Sequence, residues 1–186
     1  MSQKTVLVPL APGFEEIEAV TIVDVLRRAG VKVVTASLGA QDVPGAHDVH
    51  VRADTTLDAA VKGGAKYDAV VLPGGMPGAS NLREDARVLS ALKSCAAHDG
   101  ITAAICAAPI ALEAAGLLKG RRATAYPGFR EQLASAAQRL DARVVEDGHV
   151  ITSAGPGTAL DFALALVARL AGADRAADLR KGMLVH

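Results

Sequence analysis

One cysteine stands where a run of apolar residues meets an alanine-rich stretch, in Gly100-Ile-Thr-Ala-Ala-Ile-Cys-Ala-Ala-Pro-Ile110. A thiol at the end of a strand and the start of a helix from Ala107 would face N–H groups that lack internal acceptors. The positive end of the helix dipole would then favour the thiolate, and the same N–H groups could hold an oxyanion. The same residue also fits a small buried hydrophobe. A second reactive cluster is Ala11-Pro-Gly-Phe-Glu-Glu-Ile-Glu18, with three carboxylates in four residues at the opening of a helix. Glu15 and Glu16 suit the dipole of a first turn, while Glu15 and Glu18 share a face three residues apart; spacing does not choose between them as partners of Cys106. Val70-Val-Leu-Pro-Gly-Gly-Met-Pro-Gly78 runs from a strand into a turn, where Gly74 and Gly75 leave backbone N–H groups uncovered. It carries neither the phosphate-loop nor the dinucleotide pattern. Tyr126 ends another apolar run, and Ser153-Ala-Gly-Pro-Gly-Thr158 reads as the start of a long helix.

These residues need a scaffold that collects strand ends. Short β-branched runs alternate with amphipathic segments, the pattern of βα units around a parallel sheet. Strands are predicted over 5–10, 32–37, 68–72, 101–105, 123–126 and 149–153. Helices are predicted over 15–29, 57–62, 83–97, 107–115, 128–137 and 158–171, with Gly30, Gly116 and Gly172 as stops. Residues 39–54 read as a hairpin outside the main sheet, and 174–186 as a short helix plus tail. The expected fold is an α/β sandwich, one domain over 1–186, with its site beyond the carboxyl ends of the strands. On the first helix Ile17, Val20, Val23 and Leu26 share a side, which leaves room for a partner helix.

Composition narrows the partners. Of 186 residues, 20 are basic and 20 acidic, so the chain shows no electrostatic footprint for nucleic acid or an anionic membrane. No apolar run reaches membrane-spanning length, and the start moves straight into a strand; a cytoplasmic protein is expected. The two cysteines, Cys95 and Cys106, are not expected to form a disulfide. The five histidines are scattered, with His50, His98, His149 and His186 expected in solvent and no metal site expected.

In register, Gly13-Phe-Glu-Glu-Ile-Glu18, Leu72-Pro-Gly-Gly-Met-Pro-Gly78, Ala103-Ala-Ile-Cys-Ala-Ala-Pro109 and Thr152-Ser-Ala-Gly-Pro-Gly-Thr158 resemble the DJ-1/PfpI superfamily, nearest its DJ-1 branch, sometimes labelled ThiJ. The resemblance spans nearly the whole chain. It implies a flavodoxin-like three-layer sandwich, a homodimer, a nucleophile-elbow Cys106 and an acidic partner at Glu18 rather than Glu15. It further implies an oxyanion pocket from the N–H groups of Gly75 and Ala107, with Gly74 and Tyr126 beside it, and no cofactor. Three departures stand out. Ala107 occupies the place of the histidine of peptidase-like branches, Tyr126 that of a site histidine in many DJ-1 relatives, and His47 or its neighbourhood that of a hairpin arginine directed across the dimer.

The activity implied is glyoxalase III-like conversion of small dicarbonyls or aldehydes, methylglyoxal to lactate, with apparent deglycation following from removal of the free dicarbonyl. An oxidative-stress sensor or chaperone acting through Cys106 oxidation is the alternative, and an amidase or peptidase ranks below both. Because two anions repel, Glu18 could assist a Cys106 thiolate only while it holds a proton.

Overall fold

The computed structural model describes residues 3–185. In chain order it contains β1 (Thr5–Leu10), α1 (Glu16–Arg28), β2 (Lys32–Ser37), β3 (Asp42–Pro44), β4 (His50–Arg52), β5 (Thr55–Thr56), α2 (Leu57–Val61), β6 (Ala69–Leu72), α3 (Gly78–Glu84), α4 (Ala86–Ala97), β7 (Ile101–Ile105), α5 (Pro109–Ala114), β8 (Arg122–Ala123), β9 (Gln138–Arg139), β10 (Val144–Asp147), β11 (Val150–Ser153), α6 (Ala159–Ala171) and α7 (Ala173–Gly182). Seven strands form the main sheet in the order β10-β11-β7-β6-β1-β2-β5. All neighbours run parallel except the β10–β11 hairpin. β3 and β4 make the hairpin expected within 39–54.

Strand residues alternate between two cores because successive side chains point to opposite faces. Val6, Val8, Val71, Ala103 and Ile105 pack with Ile22, Val25 and Leu26 of α1 and with Phe162 and Leu166 of α6. Leu7, Val70, Leu72 and Ala104 face the other way, against Leu57, Leu82, Leu92, Ile110 and Leu112 of α2 to α5. The result is a flavodoxin-like three-layer sandwich with both sheet faces covered, which is why the central strands are apolar on both sides. Leu179, Met183 and Val185 lie partly buried against the first core, while Leu184 faces solvent.

Several boundaries differ from the sequence expectation, each for a local reason. The helix expected over 83–97 begins at Ala86, because Asp85 adopts extended backbone (φ −80°, ψ 112°) and caps α4 through the Arg87 N–H; Asp85 also ends α3, a helix that was not expected. The helix expected from Ala107 begins at Pro109, with Cys106 to Ala108 forming the turn before it. Proline suits that first position because its missing N–H has no partner there.

The strand expected over 123–126 is confined to Arg122–Ala123, which pairs with β9 outside the main sheet. Thr124 N–H goes instead to Thr152 Oγ1 at 2.9 Å. Residues 128–137 form only a short 3-10 turn, Pro127–Gln132. β10 was not anticipated, although its return through Asp147-Gly148, with Gly148 at φ +62°, is a common hairpin signal. On α1 Leu26 is fully buried and Val23 partly so, whereas Ile17 and Val20 are 59% and 52% exposed. The four therefore do not form one outward stripe. No helix among the described residues is long and apolar enough to cross a membrane.

Candidate active site

The carboxyl ends of β6, β7 and β11 converge with the start of α1, and Cys106 lies at that point. Its φ is +63°, left-handed backbone that costs a non-glycine residue about 1–2 kcal/mol. Both of its backbone polar groups are held: its N–H donates to the Ser153 carbonyl at 2.9 Å and its carbonyl accepts the Tyr126 N–H at 2.8 Å. The strained turn aims Sγ at the N–H groups of Ala107 and Gly75. The residue keeps 9% of its surface exposed.

Glu18 reaches the same point from the first turn of α1. Glu15 caps that turn, its Oε2 accepting the Glu18 N–H at 2.7 Å. The Glu18 side chain is fully buried and lies against the Cys106 thiol. Its Oε2 accepts the Gly74 N–H at 2.7 Å, while Oε1 has no hydrogen-bond partner among the described residues. A buried carboxylate oxygen left unpaired is costly, and a protonated carboxyl lowers that cost. Burial accordingly pushes the Glu18 pKa up to about 7, against the opposing pull of the Gly74 N–H.

For the thiol, burial and the neighbouring Glu18 carboxylate push the pKa up to about 12, and the N–H groups of Ala107 and Gly75 only partly offset this. The N–H groups at the turn do lower this thiol's pKa as expected, but they do not set its net direction. The helix begins two residues later than expected, and desolvation plus an adjacent anion outweigh two N–H donors. The two acid groups must be treated as a coupled pair.

Glycines make the approach possible. A Cβ on Gly74 would lie 2.7 Å from the Cys106 Cβ, 2.8 Å from Glu18 Oε2 and 2.9 Å from the Ile105 carbonyl. Gly75 has φ +88°, and a Cβ there would collide with the backbone of Gly13 to Glu15. The structure thus brings Cys106, Glu18, Gly74, Gly75 and Ala107 together. Tyr126 joins them through its backbone; its side chain is 48% exposed at the rim, over Gly155.

Other sequence candidates separate from this group. Cys95 is buried at the opposite end of the sheet, and burial pushes its thiol up to about 11. Both cysteines are free. His50, His98 and His149 are exposed, and His186 lies outside the described residues. The sequence reading missed a contact between the β3–β4 loop and α1. His47 Nδ1 lies 2.9 Å from Glu16 Oε2, and its N–H donates to Glu16 Oε1. Glu15, Glu16 and His47 offer ligand atoms within 4.8 Å of one another. Glu16 is nevertheless occupied by His47 and Glu15 by the Glu18 N–H, so the contact reads as an ion pair. The sequence signal for it was weak, a histidine in a loop 31 residues away.

The family model described as "DJ-1/PfpI family" matches residues 4–169. The chain is 44% identical to Protein dj-1beta of Drosophila melanogaster over 184 residues, covering 98% of this chain and 97% of that protein. The crystal structure of Drosophila DJ-1beta superposes with a TM-score of 0.94 at 43% identity, covering both chains fully. A protein named glutathione-independent glyoxalase DJR-1.2, from Caenorhabditis elegans, is 36% identical over 97% of this chain and 96% of its own. Toxoplasma gondii DJ-1, solved oxidized, matches with a TM-score of 0.91 at 40% identity over 97% of this chain and 98% of that one. A flavodoxin-like sandwich with a cysteine elbow defines the class, and this chain belongs to the DJ-1/PfpI family.

Two outcomes follow from the geometry. A carboxyl whose pKa is raised on folding opposes the fold once the unfolded chain ionises. The penalty is therefore absent below about pH 4.5, grows as pH rises, and is complete above about pH 7. Glu18→Gln, which keeps an acceptor for Gly74, should gain roughly 3 kcal/mol over the parent above that window and nothing below it. Denaturant unfolding across pH reads the difference. Gly74→Ala should separate thiol from carboxyl and, below about pH 7 where Glu18 holds its proton, slow Cys106 alkylation at least about tenfold, with a stability loss of about 1–3 kcal/mol from overpacking. An unchanged alkylation rate would contradict the close approach.

Proposed function

We propose that this protein is a cofactor-independent, Cys106-dependent enzyme for small reactive dicarbonyls, converting methylglyoxal to lactate. The observation that carries the reading is the buried Glu18 carboxyl, one oxygen held by Gly74 and the other unpaired, lying against the elbow thiol. Between the two acidities the pair holds one proton, and the reactive form places it on Glu18 and leaves the thiolate on Cys106. The name of the 36% identical worm relative supports the same reaction class.

In the proposed sequence the Cys106 thiolate adds to the aldehyde carbon of methylglyoxal, forming a C–S bond and an alkoxide. The N–H groups of Gly75 and Ala107 hold the oxyanion, and Glu18 delivers its proton to it. The Glu18 carboxylate then removes the proton from the former aldehyde carbon, giving an enediolate with its charge on the former ketone oxygen. Returning that proton to the neighbouring carbon, while the hydroxyl proton passes from the former aldehyde oxygen to the former ketone oxygen, yields a lactoyl thioester. Water cleaves the C–S bond, releasing lactate and restoring the thiol. Oxidation and reduction balance between the two substrate carbons, so no redox cofactor enters. The exposure of Tyr126 at the rim supports a further part of the proposal, that its hydroxyl bonds the substrate.

A second reading, sensing through oxidation of Cys106, is favoured by the two N–H groups at Sγ, which suit a sulfinate as well as an oxyanion. It also draws support from the oxidized state in which the Toxoplasma relative was solved. Methylglyoxal turnover by metal-free protein separates the two. The expected result is lactate formation, lowered by at least about a thousandfold in Cys106→Ser and about a hundredfold or more in Glu18→Gln. Negligible turnover with a stoichiometric peroxide-dependent mass gain at Cys106 would favour the sensor.

The protein is further proposed to act as a homodimer, with a second copy covering the outer face of α1 at Ile17 and Val20. Both residues flank Glu18, so a partner there would steady the turn that carries it. Val20→Glu should yield a monomer of reduced activity in light scattering; a parent protein that is already a fully active monomer would contradict the proposal.

A further inference from the structure

The elbow's strain has to be resisted from behind, and that support ends in two buried hydroxyls. The Cys106 N–H donates to the carbonyl of Ser153, the last residue of β11, where the chain leaves the sheet toward Gly155 and α6. Nothing in the β7–β11 ladder continues past this rung, which pairs Ser153 with Ile105. The position of that carbonyl therefore depends on what fixes the turn after it.

The polar atoms of the turn form a connected set. Ser153 Oγ lies 2.7 Å from the Arg143 carbonyl and 2.6 Å from Thr158 Oγ1. Gly155 N–H donates to Thr158 Oγ1 at 3.1 Å, and Thr158 N–H donates to the Gly155 carbonyl at 2.8 Å. Each hydroxyl has one proton to give. The Arg143 and Gly155 carbonyls each have two lone pairs and accept from Ser153 Oγ or Thr158 Oγ1, so either hydroxyl can be the donor across the 2.6 Å contact between them. Gly155 N–H, Thr158, Ser153 and the Arg143 carbonyl thus form one connected hydrogen-bonded set. Linked hydrogen bonds of this kind polarise and stiffen one another in a dry site. Ser153 is fully buried and Thr158 8% exposed. The far end is also anchored, because the Arg143 side chain donates to the Gly157 carbonyl and to Asp161 on α6, both at 2.9 Å.

We infer that the Thr158–Ser153 hydroxyl chain is a positioning device that holds Cys106 in its left-handed conformation and so keeps Sγ in front of the Gly75 and Ala107 N–H groups. Neither hydroxyl touches the sulfur; both act through the Ser153 carbonyl. The inference rests on the reading of Cys106 as the reacting group but not on the dicarbonyl reaction. Without the chain, Cys106 can relax toward ordinary backbone, the sulfur leaves its donors, and its thiolate becomes harder to form. Such a role differs from plain helix initiation, which would affect stability and leave the thiol's acidity alone.

Alkylation of Cys106 by iodoacetamide across pH, in a Cys95→Ser background, tests the inference without any turnover assay. Thr158→Val keeps the shape and removes the hydroxyl, and Thr158→Ser restores it. The expected result is a rate at neutral pH lowered about tenfold or more in Thr158→Val, with the midpoint of the pH profile raised by about one unit. Thr158→Ser should stay within about twofold of the parent. Ser153→Ala cuts the same chain in its middle and should move the midpoint the same way, which keeps the test decisive if Thr158→Val does not fold. A variant with a lower melting temperature but the parental rate and midpoint would overturn the inference. Absence of methylglyoxal turnover in the parent would defeat the proposed reaction and leave this comparison standing.

Discussion

The site depends on a carboxyl and a thiol forced into one dry space that has room for a single negative charge. Glu18 is fully buried, and Cys106 keeps only a small exposed surface. The Glu18 carboxylate raises the cost of ionising Cys106, the thiol's hydrogen bond partly offsets that cost for Glu18, and burial raises both. An arrangement so unfavourable to charge persists only where the fold over-determines it. Here it does so through backbone contacts: Gly74 N–H on one side of the carboxyl, and the Ser153 carbonyl and Tyr126 N–H on the two backbone groups of Cys106.

The rest of the architecture can be understood as delivering those backbone groups. The parallel order of β6, β7 and β11 places Gly74, Cys106 and the chain after Ser153 at one end of the sheet. α1 crosses that end because its inner face, Ile22, Val25 and Leu26, packs on β1 and α6, and this fixes where its first turn presents Glu18. Gly74 is needed for want of space, since a side chain there would occupy the gap in which thiol and carboxyl meet, and Gly75 for its left-handed backbone and its close approach to the chain at Gly13 to Glu15. Cys95 is a contrasting buried thiol: burial and the charge of Asp68 push it up, one N–H group, that of Val70, opposes them where Cys106 has those of Gly75 and Ala107, and carbonyls of Tyr67 and Ile101 receive its weak hydrogen bond.

Much of this was legible in the residues. The continuous apolar runs at 101–105 and 69–72 gave central strands, and the four motifs in register identified the family, chose Glu18 over Glu15 and placed Cys106 on an elbow. Other features depended on contacts that periodicity does not encode. Asp85 ends one helix and caps the next, so the expected start at 83 fell inside α3, which itself went unread. Thr124 exchanges a ladder bond for the Thr152 hydroxyl, which shortens a strand that looks continuous. The net direction of the Cys106 pKa was not legible, because the N–H groups of the turn are visible in sequence, whereas the depth of burial and the distance to Glu18 are not. His47 met Glu16 for the same reason: a loop's landing place is a property of the packed fold.

The most direct test of the account is the titration of the Glu18 side-chain carboxyl itself, followed by NMR of the δ-carbon with Glu18→Gln identifying the signal. The account requires this carboxyl to hold its proton to about pH 7, well above ordinary glutamates, and to shift again when Cys106 is alkylated. A Glu18 that titrates in the ordinary carboxylate range, indifferent to the state of the thiol, would contradict it.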